Sequence, residues 1–337
     1  MKAIPSIYLL AAAAAALPAV RSEEAFYKEV AVKAATASKN EQRAVSGEEG
    51  WLFLNSELTH LGKGALTKEA VAPAVRQIAA FQKALAAKGA NLLLLLVPAK
   101  AEIYPDKLAS GFTPELLASR QSLLQADLQA AGVRSIDLAS EFARRRKASG
   151  DSLLYCLRDA HWSPSGVEAA ADLVSAAVKD APWLKETTTQ KLNLALSDPA
   201  TLEIRGDLLG EPHTASLGAE TIRLRYAGTK NGGTIEPAAS AAGDSPVLLL
   251  GDSHTIVFSM GNDFHCRGAG LADHLQQRLG VPVGIVSSPG SGGDTARQQL
   301  ARMAYRSPDI WKRLRLVVWC FSVREITEGR WRDIPLK

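Results

Sequence analysis

Pro246-Val-Leu-Leu-Leu-Gly251-Asp-Ser-His254 is the stretch on which the fold turns. Val247 to Leu250 is apolar at every position, without alternation, as a strand buried on both faces requires. Gly251, Asp252 and Ser253 then break the run at once. A parallel strand that stops there delivers its serine to the carboxyl edge of a sheet, where open α/β sheets bind ligands.

The same pattern recurs outward from this point. Leu92 to Val97 is a second continuous apolar run, closed by Pro98, and Val281 to Ser287 and Leu314 to Phe321 read as two more strands. Helical periodicity separates them. Val71, Val75, Ile78, Phe81 and Leu85 recur at three- and four-residue spacing from Ala70 to Lys88, and Gly89 stops the pattern. Further helices are expected at Pro114 to Ala131, Ser165 to Lys179, Gly270 to Leu279 and Ala296 to Tyr305. Gly50 to Leu54 and Val133 to Leu138 read as short strands. Strands alternating with helices give an α/β fold with a largely parallel sheet flanked by helices. Residues from about Lys185 to Asp244 break the alternation and read as a small irregular or β insertion. The strand exits are Pro98-Ala-Lys100, Gly251-Asp-Ser253, Ser287-Ser-Pro-Gly290-Ser-Gly-Gly293 and Ser322-Val-Arg324-Glu325. So many polar and glycine-rich exits on one sheet edge predict a site there.

Composition limits the classes of function. In 337 residues, 47% are apolar and 22% charged, which excludes disorder and coiled coil. A formal charge of +4 is too small to argue for nucleic acid. Three cysteines, Cys156, Cys266 and Cys320, make neither a disulfide framework nor a CxxC zinc site. The chain opens with Lys2 and an alanine-rich apolar run to Val20, followed by small residues at Ala19 and Ser22. Residues 1–22 therefore read as an export signal or an N-terminal anchor, and residues 23–337 as a single domain carrying the insertion. Export places the protein in the periplasm, where Cys156 and Cys266 are free to oxidise or to stay apart.

Two short motifs carry the chemistry. Ser253 sits where free backbone N–H groups can meet an oxyanion, but a serine hydroxyl needs a base. Arg158-Asp-Ala-His161-Trp-Ser163 supplies one. Asp159 two residues before His161 can hold one imidazole nitrogen and leave the other for the serine. Read alone, each motif is also an ordinary turn or helix cap. A metal reading of Asp159, His161, His254 and His265 lacks any HxxxH or HExxH spacing, so no metal and no cofactor are expected.

Gly251-Asp-Ser253 with a separate Asp159-x-His161-Trp162 resembles the SGNH-hydrolase-like proteins of the alginate O-acetyltransferase group, the AlgJ/AlgX type. The Asp-His motif precedes the serine motif, as in that group, a permuted order relative to ordinary SGNH esterases. Gly50-Trp-Leu-Phe53, Val97-Pro-Ala-Lys100, Ala269 to Leu275 and Trp319-x4-Arg324-Glu325 extend the resemblance over most of the chain. It implies transfer of acetyl groups onto an exopolysaccharide acceptor, with a membrane-bound O-acyltransferase as acetyl source. It also implies Ser253 as nucleophile, His161 as base and Asp159 as the residue that orients it. The Ser253 N–H and the loop holding Gly290 and Gly292 are candidates for the oxyanion hole, although those glycines equally suit a tight turn. Lys100, His254 and Arg324 are candidates to line the cleft, and Arg324 equally suits an ion pair with Glu325. Two rival functions stay open: a secreted carbohydrate acetylesterase with the same residues, and a non-catalytic polysaccharide-binding component of an export complex.

Overall fold

Continuous apolar runs become the heart of the sheet. The structure is a computed structural model describing residues 21–148, 153–187, 192–238 and 241–336. The predicted leader lies outside the described residues except for Arg21 and Ser22. Five strands lie side by side in the spatial order Val283–Ser287, Val247–Gly251, Leu316–Ser322, Asn91–Val97 and Ser135–Ile136. Every neighbouring pair is parallel, and Gly251 stands opposite Ser287 on one side and Cys320 on the other. Leu316–Ser322 is central and buried at every position, which is why no alternation marks it in the sequence.

Helices cover the sheet as their spacing predicts. Lys68–Ala87 is capped by Thr67 and buries Val71, Ala74, Ile78, Phe81 and Leu85. Each of its four larger side chains contributes roughly 1.5–3 kcal/mol by leaving water. Pro164–Val178 starts at an N-cap, Ser163, whose hydroxyl accepts from the Gly166 N–H at 3.3 Å. Leu271–Leu279 and Asp294–Arg306 match their expected positions within two residues.

Four expectations are corrected. Leu52–Leu54 is a strand but pairs antiparallel with Ala44–Ser46, outside the main sheet. The helix expected from Pro114 begins only at Ser122, because successive three-residue turns bring Arg120 and Gln121 inward to the buried Glu102. Val133 to Leu138 yields only the two-residue strand Ser135–Ile136, since Leu138 already opens the helix Leu138–Ala148. The polar stretch after the leader is the helix Glu23–Lys39, which sequence reading left without structure.

The insertion is a small β lobe. Ala200–Ile204 pairs antiparallel with Glu220–Leu224, and Ala195–Leu196, Ala227–Asn231 and Thr234–Glu236 form a three-stranded sheet. Glu220–Leu224 alternates buried and exposed, as a strand with one solvated face does.

Candidate active site

The serine turn is built by close packing and one buried carboxylate. A Cβ on Gly251 would lie 1.6 Å from the Cys320 carbonyl oxygen, so only glycine lets the strand end this close to its neighbour. Asp252 follows and is 1% exposed. Its Oδ1 accepts from the His254 N–H and from His254 Nδ1, both at 2.9 Å, and its Oδ2 accepts from the Ser322 N–H at 2.8 Å. Burial pushes this carboxyl up, but His254 and the two N–H donors outweigh it and bring it down to about 2. Ser253 thus opens a single turn of 3-10 helix on a fixed base.

The histidine turn repeats the device. Asp159 Oδ1 accepts from the His161 N–H at 2.9 Å and from His161 Nδ1 at 2.6 Å. With Nδ1–H committed to the carboxylate, Nε2 of the neutral imidazole is left as an acceptor, and Ser253 Oγ–H donates to it at 2.7 Å across 92 positions of sequence. Burial would lower the His161 imidazole, but Asp159, reinforced by Asp207 and Asp252, raises it to about 9. Burial likewise opposes ionisation of Asp159, yet His161 and His265 hold its carboxyl well below the usual range.

The β lobe clamps this turn, which sequence reasoning missed. Glu220 accepts from the Leu157 and Arg158 N–H groups at 2.8 and 2.7 Å. Asp207 accepts from the Ala160 N–H at 2.7 Å, while its own N–H donates to Asp159 Oδ2 at 2.9 Å. His265 Nε2 donates to that same oxygen at 2.9 Å. Two acids that hold a distant loop through its main-chain N–H groups, and a histidine that meets the Asp159 side chain, leave no spacing to read. The asymmetric composition of the insertion, thick with Thr, Gly and Ser, was the one signal available.

The other predicted residues separate. Lys100 does not line a cleft: it is fully buried, and its ammonium donates to the carbonyls of Leu52, Leu157 and Asp159 at 2.6, 2.9 and 3.2 Å. Trp51 and Phe53 lie against it, 5.0 and 5.2 Å from Nζ to the ring centres. His254 is 5% exposed, its ring 5.0 Å from that of His161 and 5.4 Å from that of Trp162. It stands inside the site wall as the tether of Asp252. Arg324, at a strand exit, is ion-paired with Glu325 at 3.7 Å, the second of its two expected settings. The two loop glycines also part company. A Cβ on Gly292 would lie 2.9 Å from the Asp252 nitrogen, whereas Gly290, at φ +72°, serves a turn with open space around it. Among the described residues, neither the Ser253 nor the Gly292 N–H donates a hydrogen bond. Cys156 and Cys266 are unpaired thiols. Asp159, His161 and Asp207 bring potential ligand atoms within 4.8 Å, but N–H donors already occupy the oxygens of both carboxylates.

Residues 44–323 match the family described as SGNH hydrolase-like domain, acetyltransferase AlgX. The chain belongs to this family. It is accordingly an O-acetyltransferase by class, as the motif resemblance implied. Among curated relatives, the probable alginate O-acetylase AlgJ of Pseudomonas syringae pv. tomato is 26% identical over 289 residues, covering 83% of this chain and 68% of that protein. The corresponding protein of Pseudomonas aeruginosa is 28% identical over 165 residues, 49% of this chain and 40% of its own. Among solved structures, the O-acetyltransferase domain of Pseudomonas putida AlgJ superposes with a TM-score of 0.60 at 22% identity, covering 85% of this chain and 92% of that one. Pseudomonas aeruginosa AlgX gives 0.60 at 20% identity over 83% of this chain and 62% of its own. These two likenesses show the same fold, which the family match describes as SGNH hydrolase-like.

Proposed function

We propose that this acetyltransferase moves acetyl groups onto hydroxyls of an alginate-like exopolysaccharide through an acetyl-enzyme formed on Ser253. One observation carries the reading: Ser253 Oγ, His161 Nε2, His161 Nδ1 and Asp159 Oδ1 form an unbroken hydrogen-bonded line with steps of 2.7 and 2.6 Å. His161 Nε2 takes the Ser253 proton as Oγ bonds to the acetyl carbonyl carbon. The Ser253 and Gly292 N–H groups meet the oxyanion. His161 then returns its proton to the departing group of the donor, leaving acetyl-serine. In the second half a sugar hydroxyl gives its proton to His161 and its oxygen attacks the acetyl carbon; the Oγ–acetyl bond breaks and His161 hands that proton to Ser253 Oγ. Asp159 steadies the imidazolium that forms in each half.

The polymer is taken from the printed names of the AlgJ relatives. The apolar start of the chain supports action in the periplasm, with a membrane-bound O-acyltransferase supplying acetyl. The test is incubation of the purified protein with a chromogenic acetyl ester, with and without oligouronate, and mass spectrometry of the sugar. Acetylated sugar formed by the wild type and absent with Ser253→Ala is the expected result. Acetate release without sugar acetylation points to the esterase, and sugar acetylation that survives Ser253→Ala refutes the acetyl-serine.

A further inference from the structure

The loop from Ile256 to Gly270 follows the serine turn and brings His265 back to Asp159. Three of its non-glycine residues, Phe258, Asn262 and His265, have φ of 62°, 51° and 70°. Left-handed backbone is uncommon for any side chain and costly for one as bulky as phenylalanine. Such strain persists only where surrounding bonds over-determine it, and here they do. The Phe258 N–H donates to the Phe264 carbonyl and the Ala269 N–H to the Phe258 carbonyl, both at 2.9 Å. The Gly261 N–H reaches the Cys266 carbonyl, also at 2.9 Å. Asp273 then pins the far end through Ser259 Oγ–H at 2.5 Å and the Gly270 N–H at 3.1 Å.

What this strained path delivers is one imidazole. The His265 side chain is 7% exposed, its ring lies 5.4 Å from that of Phe258, and Nε2 reaches Asp159 Oδ2 at 2.9 Å. That contact completes the carboxylate: two donors from His161, one from Asp207 and one from His265. The segment carrying Ser253 is thereby fixed to the Asp159–His161 turn at two points, the Ser253–His161 hydrogen bond and this one.

We propose that His265 is a positioning residue for acyl transfer: by donating Nε2–H to Asp159 it aims the carboxylate at His161 Nδ1 and locks the serine segment in register with its base. The proposal rests on the reading of Ser253, His161 and Asp159 as the reacting unit. His265 acts through Asp159 and does not touch the reacting atoms. The second role of its hydrogen bond is electrostatic. Sharing the Asp159 charge with His265 moderates the pull of the carboxylate on the His161 imidazolium. Other titratable groups facing this pair are Asp207 and Glu220 from the lobe, Asp252 and His254 from the serine turn, and Lys100 and Cys156 behind. Removing His265 leaves all of these in place, so its effect on the acid limb of the rate profile has one sign: upward in pH.

The experiment compares the pH dependence of p-nitrophenyl acetate turnover for wild type, His265→Leu, His265→Gln and Ser253→Ala. His265→Leu is expected to lower kcat roughly 10- to 100-fold, the scale of one hydrogen bond to a charged group, and to move the acid limb to higher pH. His265→Gln, which keeps an N–H at similar reach, restores most of both. Wild-type kcat and an unmoved limb in His265→Leu overturn the proposal even where its melting temperature falls. Retained activity in Ser253→Ala overturns the underlying reading instead, which keeps the two failures distinct. A second measurement needs neither turnover nor a variant that folds. In 15N-histidine-labelled wild-type protein, His265 Nε2 must carry a proton throughout the active pH range, and an unprotonated Nε2 signal there refutes the donation to Asp159.

Discussion

Replacing Lys100 with methionine separates stability from activity, because the ammonium does two opposed things. Burying it costs free energy: burial brings its pKa from 10.5 down to about 8, even with Cys156, Glu220, Asp159 and Glu57 opposing the shift. At about 1.4 kcal/mol per unit, the charged form carries a penalty of about 3 kcal/mol in the folded state. Lys100→Met removes that penalty but withdraws a donor from three carbonyls. The Leu157 carbonyl keeps a second donor, the Leu52 N–H at 2.9 Å, so at most two are left without a partner. At about 1–3 kcal/mol each, that costs about 2–6 kcal/mol. The net change at pH 7 then falls between about 1 kcal/mol of stabilisation and 3 kcal/mol of loss.

The pH dependence decides the matter. A lysine with a depressed folded pKa penalises the native state below about 8, and the penalty disappears as pH rises through 8 to 10.5. Wild type should therefore gain about 3 kcal/mol on the variant across that window. Activity follows another course. With the Asp159 carbonyl released, the Asp159–His161 turn loses one of its anchors, and ester turnover should drop about tenfold at pH 7 even where stability barely changes. The assay is urea unfolding of both proteins at pH 7 and pH 10.5 beside initial rates. A stability gap that is the same at both pH values, or wild-type turnover in the variant, refutes this account of Lys100.

Other consequences can be checked together. The raised His161 imidazole, at about 9, predicts ester turnover that climbs with pH until about 9, whereas a limb near the ordinary 6.5 contradicts the Asp159 effect. The same shift gives stability that is complete below 6.5 and lost as pH rises through 9, so unfolding of His161→Gln should be less pH-dependent there than that of wild type. Glu220→Gln exchanges one of two main-chain hydrogen bonds to a carboxylate for a clash of donors. It should cost about 1.5–3 kcal/mol in chemical unfolding and lower turnover, and a change under about 0.5 kcal/mol means the lobe does not hold the histidine turn. Gly292→Ala would put a methyl group 2.5 Å from Phe321 Cβ and should lose about 1–3 kcal/mol along with activity. Gly290→Ala meets open space, so turnover near wild type is expected despite its positive φ.

The sheet was legible because strands buried on both faces need no pattern beyond continuous apolarity, and Leu92 to Val97, Val247 to Leu250 and Leu316 to Phe321 show it plainly. The Ser253–His161–Asp159 geometry was legible because a serine at a strand exit and an Asp-x-His before a helix are local signals. Lys100 misled for a definite reason: a lysine after a strand reads as a cleft residue, and nothing nearby in sequence tells that its partners are carbonyls 48, 57 and 59 positions away. Leu52–Leu54 misled because an apolar triplet looks alike in a parallel sheet and in a separate hairpin. Glu220 and Asp207 were invisible, and His265 surfaced only as a possible metal ligand, since each acts on a turn that lies 47 to 106 residues distant.

Asp159 draws its four hydrogen bonds from three stretches of chain, its own turn, the lobe at Asp207 and the loop at His265. On the proposed acetyl-serine reaction, catalytic competence therefore needs all three stretches in place. On that reading a sheet closed around its apolar strands leaves the serine an ordinary alcohol until the last two segments dock. During refolding from denaturant, ester turnover should trail the return of helical circular dichroism, so the enzyme itself keeps time on the completion of its own structure.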